Sequence, residues 1–405
     1  MNILTIHNTY QQPGGEDVVV AQESRLLEER GHHVSLYQRS NHEINALSFG
    51  QKLGLVTRII SAGDTRVAVR SLLRSLRPDV VHVHNTFLMV SPSVYQACQD
   101  EDVPVVQTLH NYRLLCPAST FYRDGAVCED CVTHGLRCSV QHGCYRGSRT
   151  MSAAIALVLQ THRSRQTWSH GIDAYIAISN CVKDKFVESG FLANNIHVKP
   201  NFVDPDPGER SQPGDYALFV GRLSPEKGLS ILLEAWQRLP SAIPLVIAGD
   251  GPMRKDLEAE VAKKKLSGVR FVGRLGREEV YDAMKKAAFV VVPSVWQEPF
   301  GLIVAEAFAR GTPVLGARVG AITEMLDDQV TGLHFAAGDA DDLAKKVTWA
   351  WGHLPELAIM GKNARRVYED RYTANHNYRL LMKIYDHAIG SHSLFKRTRS
   401  LRAAA

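Results

Sequence analysis

The pattern that most restricts this chain is a repeated alternation: short runs of apolar, β-branched residues, each followed by a stretch with helical spacing. In the first half such runs occupy residues 3–7, 34–37, 79–84, 103–110, 174–179 and 196–199. They are apolar throughout, not at every second position, as expected of strands buried on both faces. Parallel strands covered by helices meet that demand, so the first half predicts a doubly wound α/β domain. The alternation stops at residues 201–215, NFVDPDPGERSQPGD, where Pro, Gly and charge mark a linker. It resumes at residues 216–220, 245–248, 269–272, 288–293, 313–316 and 332–335, which predicts a second domain of the same kind. The expected division is therefore 1–200, a linker at 201–215, a second domain at 216–375, and a last helical segment at 376–405 returning to the first domain. A chain of 405 residues accommodates this arrangement. Ligands of open parallel sheets sit beyond the carboxyl ends of the strands, so two facing domains would enclose a cleft.

Several classes of protein are excluded early. The longest apolar run, residues 151–159, is about half of what a bilayer-spanning helix needs. The start, MNILTIHNTY, lacks the basic residues and cleavage site of a signal peptide and reads as a first buried strand, so a cytoplasmic location is expected. Lys and Arg number 47 against 42 Asp and Glu, a net +5 that is too even for a dedicated nucleic-acid binder.

Three segments carry chemistry. Residues 294–306, SVWQEPFGLIVAE, follow a buried run and open a helix. Gly301 at the turn lets backbone N–H groups approach an anion, and the helix N-terminus adds roughly half a positive charge. Glu298 and Glu306 stand eight residues apart, about two turns, so both can face one ligand. Taken alone, Glu298 reads first as an ordinary helix cap. Residues 221–228, GRLSPEKG, again follow a strand. Arg222 offers a diphosphate a bidentate fork and Lys227 a point charge, although a basic loop is also common solvated surface. Residues 248–252, AGDGP, close a strand with Gly249 and Gly251, a turn that suits a nucleotide or an ordinary loop equally.

In combination, GRLSPEKG, AGDGP, FVGRL and PSVWQEPFGLIVAEAFARGTPVLG, followed by Gly320 and Glu324, resemble the retaining glycosyltransferases of family 4. These are the group 1 transferases, among them enzymes of bacterial surface polysaccharides, and the likeness covers nearly the whole chain. It implies a GT-B fold, two facing Rossmann-like domains with an interdomain cleft. It also implies sugar transfer with retention from a nucleotide-diphosphate sugar, UDP favoured and GDP the alternative. By the same likeness Arg222 and Lys227 hold the diphosphate, Glu306 the ribose, and Glu298 lies near the donor sugar. The amides of Phe300, Gly301 and Leu302 approach sugar and phosphate, and the segment Val272 to Arg274 lies beside the base. From the first domain Gly14 and Gly15 meet the diphosphate and sugar, and His110 lines the sugar pocket.

The catalytic set is then Glu298, His110, Arg222 and Lys227, with Glu298 a positioning or electrostatic residue and its role as nucleophile the minority option. Fixed cations suit the charge that builds on the departing diphosphate, where one well-placed donor is worth about 3 kcal/mol. No cofactor is expected for catalysis. Nucleotide-sugar epimerases and sugar phosphorylases share the architecture but not this arrangement of motifs. A non-catalytic nucleotide-sugar-binding protein is the remaining alternative.

Two features lie outside the shared pattern. Residues 116–147 form an insertion containing Cys116, Cys128, Cys131, Cys138 and Cys144. The pair Cys128-x2-Cys131 is a half-site for structural zinc, completed by Cys116 and Cys144, with Cys138, His134 or His142 as alternatives; reduced thiols in a loop are the competing reading. The insertion follows His110 and is expected on the acceptor side. The second feature is basic. Arg66, Arg70, Arg74 and Arg77 fall on one helical face, Lys52 and Arg58 precede them, and Arg146, Arg149, Arg163 and Arg165 flank residues 151–159. With Lys396, Arg397, Arg399 and Arg402 in the tail, this suits an anionic leaflet. The expected acceptor is accordingly a saccharide or lipid-linked saccharide, met in peripheral association with the inner face of the cytoplasmic membrane. Asp204-Pro-Asp206 reads as turn chemistry and not as a metal-binding pair.

Overall fold

The computed structural model describes every residue except 12–13, 47, 49–53, 241–242 and 404–405, and only the backbone at 395–403. Lys52 and the side chains of Lys396, Arg397, Arg399 and Arg402 thus lie outside the described residues. The chain forms two compact units, one of Met1–Ser119, Glu129–Pro200 and Asn377–Ala405, the other of Thr120–Cys128 and Asn201–His376.

The first unit is built on a parallel sheet of β1 (Asn2–Thr9), β2 (His33–Ser40), β3 (Val80–Val83), β4 (Val105–Leu109), β7 (Ala174–Ala177) and β8 (Ile196–Val198). Their spatial order is β2-β1-β3-β4-β7-β8. β3, β4 and β7 are buried along their whole length, which is why their sequences do not alternate. The helix Ala374–Ala403 places Leu381, Ile384, Tyr385 and Ala388 in a cluster with Ile3, Val80, Val106 and Ile176. Their spacing of three, one and three residues is that of a single helical stripe.

The second unit contains β9 (Tyr216–Val220), β10 (Leu245–Ala248), β11 (Val269–Gly273), β12 (Ala287–Val292), β13 (Val314–Ala317) and β14 (Gly332–Phe335). The order β11-β10-β9-β12-β13-β14 is that of a Rossmann sheet, and each run expected from sequence overlaps one strand. A two-stranded hairpin, β5 (Tyr122–Arg123) and β6 (Ala126–Val127), was not expected and groups with the second unit although it lies in the cysteine insertion. In both sheets the chain reverses direction across the strand order once, between β1 and β3 and between β9 and β12. Loops leaving such a pair diverge to opposite faces and open a crevice at the carboxyl edge.

The arginine face meets carboxylates from a neighbouring element. On the helix Gly63–Leu76, Arg66 pairs with Asp100 at 2.5 Å, Arg70 with Glu101 at 2.8 Å, and Arg74 with Glu101 at 2.9 Å. Arg58 and Arg39 both reach Asp64, and Arg163 donates to the carbonyls of Leu114 and Leu115. Helical spacing places the arginines on one face, and the helix Ser93–Asp100 with its C-cap Glu101 brings two carboxylates against these three guanidinium groups. Arg77 and Arg149 remain exposed.

Candidate active site

In the second unit, the expected donor residues gather at the crevice between β9 and β12. Backbone hydrogen bonds tie the loops there together: Leu223 N–H to Asp250 O, Gly249 N–H to Gly273 O at 2.7 Å, and Val295 N–H to Glu226 O at 3.0 Å. Two glycines make this possible. Gly228 has φ +72° and a Cβ there would lie 1.8 Å from Pro293 O; a Cβ on Gly249, φ +147°, would lie 1.8 Å from Gly221 O. Gly251 and Val272 belong to the same knot, while Arg222 and Arg274 project as exposed side chains.

Within this frame Lys227 Nζ lies 2.7 Å from Glu298 Oε2 and 5.1 Å from the centre of the Trp296 ring. The same oxygen accepts from Ser294 Oγ at 3.1 Å and Trp296 Nε1 at 3.0 Å. All three donors converge on Oε2, leaving Oε1 without a bond among the described residues. The main chain of Glu298 is held as well, since Ala321 N–H donates to its carbonyl at 2.9 Å. Gly320, φ +55°, packs so closely that a Cβ would lie 2.4 Å from Glu298 N. Glu298 is therefore not a helix cap. The helix Leu302–Ala309 is instead preceded by Gly301 at φ +83°, with Phe300 buried beside Tyr372. Ser294, Trp296 and Ala321 are contributors that the motif spacing did not reveal.

Glu306 lies on that helix with no direct bond to Glu298. Burial pushes its carboxyl up to about 7, against the pull of the Arg277 guanidinium. Arg277 Nε donates to Tyr281 Oη at 2.9 Å, and desolvation, then Glu306, raises that phenol to about 12. A carboxylate so poorly solvated is ready to accept from hydroxyl donors.

In the first unit the carboxyl ends of β1, β3 and β4 carry His7, His84 and His110. Gly14 and Gly15 open the helix Gly15–Glu29, and a Cβ on either would meet nothing within 4 Å, so no described neighbour demands glycine there. Asp17 anchors the loop, accepting from Gly14 N–H at 2.7 Å and bonding His7 Nε2 at 2.8 Å. Glu16 accepts from Asn85 Nδ2 at 2.9 Å and Asn111 Nδ2 at 3.3 Å, and burial, then Asp17, raises its carboxyl to about 8. His110, Asn85, Asn111 and Arg113 line a cavity of about 50 Å³. His110 Nε2 lies 2.9 Å from His84 Nδ1. Burial, then His7, lowers the pKa of His110 to about 3 and keeps the ring neutral. Behind it stands a buried pair, Lys199 Nζ at 2.6 Å from Glu23 Oε2. The sequence offered one hint of this layer, the His82 and His84 two residues apart at a buried strand.

Among the described residues, Glu23, His82 and His84 are the only three or more ligand-type side chains whose donor atoms all lie within 4.8 Å of one another. Lys199 already supplies the cation there. Among the described residues, no three of Cys116, Cys128, Cys131, Cys138 and Cys144 bring their sulfur atoms within 4.8 Å of one another. Asp206 is occupied by Arg365 at 2.6 Å and by Gly208 N–H at 2.9 Å.

Residues 204–367 match the family described as Glycosyl transferases group 1, and residues 13–207 match Glycosyltransferase Family 4. An uncharacterized 42.6 kDa protein in the cps region of Klebsiella pneumoniae is 26% identical over 80% of this chain and 87% of its own. The O-antigen chain mannosyltransferase C of Escherichia coli is 32% identical over 45% of this chain, and the match spans 50% of that relative. Among solved structures, Anabaena HepE in complex with UDP superimposes with a TM-score of 0.67 at 20% identity, covering 95% of this chain and 100% of that one. Two Rossmann-like domains of this kind define the GT-B class. Within that class, the chain belongs to the group 1 glycosyltransferases.

Proposed function

We propose that the protein transfers a sugar, with retention, from a nucleotide-diphosphate donor to a saccharide or lipid-linked saccharide during surface-polysaccharide synthesis. The observation that carries this reading is the crevice between β9 and β12, where Lys227, Glu298 and the Gly301 turn meet. In it, Arg222 and Lys227 take the diphosphate, the amides of Phe300, Gly301 and Leu302 approach the phosphate and sugar, and Glu306 accepts from the ribose. Gly249, Gly251, Val272 and Arg274 border the base. Gly14, Gly15 and His110 serve from the first domain. UDP is the preferred base, supported by HepE having been solved with UDP and with UDP-glucose. The Klebsiella and E. coli relatives support the polysaccharide setting. As the bond to the anomeric carbon breaks, negative charge grows on the diphosphate. Cations and helix amides fixed before the reaction stabilise it without reorganisation.

A panel of nucleotide sugars screened by thermal shift tests the reading, because a ligand of the native state raises stability by mass action. A UDP-sugar is expected to give the largest shift and to be hydrolysed or transferred. A chain that binds nucleotide sugars without turning any of them over is a binding protein, and the catalytic proposal then fails.

A further inference from the structure

His110 does not stand alone at the end of β4. Its Nε2 lies 2.9 Å from His84 Nδ1, and His84 Nε2 faces Glu23 Oε1 at 3.5 Å. Glu23 is ion-paired on its other oxygen with Lys199, 2.6 Å away, and both side chains are only 2% exposed. Burial alone would raise the Glu23 carboxyl, but Lys199 first and His82 next hold it well below the usual range, so it remains an acceptor only. His84 is kept neutral by burial, and next by His82, so it carries one ring proton. That proton belongs on Nε2, because a bare nitrogen lone pair facing a carboxylate would be repelled. His84 Nδ1 is then bare and can only accept, which requires the proton of His110 to sit on Nε2.

We propose that His84, backed by Glu23, is a positioning residue that holds His110 in the Nε2–H tautomer and so leaves His110 Nδ1 as the acceptor for a sugar hydroxyl. Among the described residues Nδ1 has no hydrogen-bond partner, and the ring borders the cavity shared with Asn85 and Asn111. The sugar contact rests on the transferase reading above; the tautomer rests on the His110–His84–Glu23 distances together with the burial of these groups.

The test uses the full chain with nitrogen-15 in its histidines, the His110 signals being assigned by their loss in His110→Asn. Long-range proton–nitrogen spectra are expected to show His110 protonated at Nε2 and bare at Nδ1. His84→Leu should move proton density to Nδ1 and lower kcat roughly 10- to 100-fold, the usual cost of losing an orienting partner, with UDP affinity unchanged. His84→Asn, whose Oδ1 can replace Nδ1 as acceptor, should restore the tautomer and most of the rate. A wild-type His110 protonated at Nδ1, or an unchanged tautomer in His84→Leu, would overturn the proposal. Should His84→Leu not fold, the other two spectra decide: Nε2–H in both supports the relay and Nδ1–H in either sinks it. If the spectra agree but the wild type transfers no sugar, the relay stands and the transferase reading is what fails.

Discussion

Lys227 and Glu298, assigned by sequence to different parts of a donor, are bonded to each other at 2.7 Å. On the donor reading proposed above, a diphosphate competes with this carboxylate for the ammonium. The two residues should respond with opposite signs in nucleotide binding. Lys227→Met removes a charge-assisted bond and should weaken UDP by about 2 kcal/mol, or some 30-fold. Glu298→Gln frees the ammonium and should leave UDP binding equal or tighter, while transfer falls roughly 10²- to 10³-fold for want of a charge that acts at the sugar. Titration calorimetry and initial rates measure both. Equal losses of UDP affinity in the two variants would show that the pair does not oppose the donor.

Glu298 is held through its backbone as firmly as through its carboxylate. Gly320→Ala places a methyl 2.4 Å from Glu298 N at a φ of +55°. Strain in this region and displacement of the loop should together cost about 2 kcal/mol or more of stability. Because the displaced atoms carry Glu298, activity should fall further than the lowered Tm accounts for. Activity assayed well below the melting transition separates the two effects.

These two cases show what the sequence could and could not reveal. The strands were legible because burial on both faces forces unbroken apolar runs, as in β10 and β12. Arg222, Lys227, Glu298 and Glu306 stand out as candidates because their motifs follow buried strands. Trp296 and Ser294 were not, since nothing in a loop's sequence says which of its side chains turn back onto a carboxylate. Glu23 and Lys199 were invisible for a plainer reason: they are 176 residues apart and meet only in the folded sheet. The stripe of Arg66, Arg70 and Arg74 follows from helical spacing, whereas its carboxylate partners come from another element and leave no trace in that stretch.

Glu306 gives the site a pH dependence of definite sign. Its folded-state pKa is about 7 against 4.5 for the free side chain. Between those values the native state binds more proton than the unfolded chain, so stability falls as pH rises and the loss is complete above 7. The cost at high pH is roughly 3 kcal/mol. Glu306→Gln removes it, so the variant should match the wild type near pH 4.5 and become progressively more stable up to pH 7.5. Glu16, raised to about 8, slopes the same way in both proteins and cancels from the difference. Urea denaturation at several pH values measures it, and a constant difference across the range would mean that Glu306 titrates normally.

The Glu23–Lys199 pair should matter most when only half of it is removed. Lys199→Met leaves a carboxylate buried among His82, His84 and the sheet, at a cost of about 3–5 kcal/mol. Adding Glu23→Gln takes away the stranded charge and should recover much of that stability. Denaturation of the two single variants and the double variant gives the coupling directly; strict additivity would contradict a buried ion pair.

The remaining expectation concerns membranes. If Arg66, Arg70 and Arg74 were a bare basic face, anionic vesicles would bind the protein and salt would release it. Their guanidinium groups are instead paired with Asp100 and Glu101, whose carboxyls are correspondingly held below their usual range, first by Arg66 and first by Arg74 respectively. Each basic residue near an anionic surface adds about 1 kcal/mol only if its charge is not already neutralised. The wild type should therefore float weakly with phosphatidylserine vesicles, through this face at least. Asp100→Asn combined with Glu101→Gln unmasks three arginines without altering their number, and should strengthen flotation at low salt while transfer to a soluble saccharide stays unchanged. Tight, salt-sensitive flotation of the wild type, unaltered in the double variant, would locate membrane attachment elsewhere on the chain.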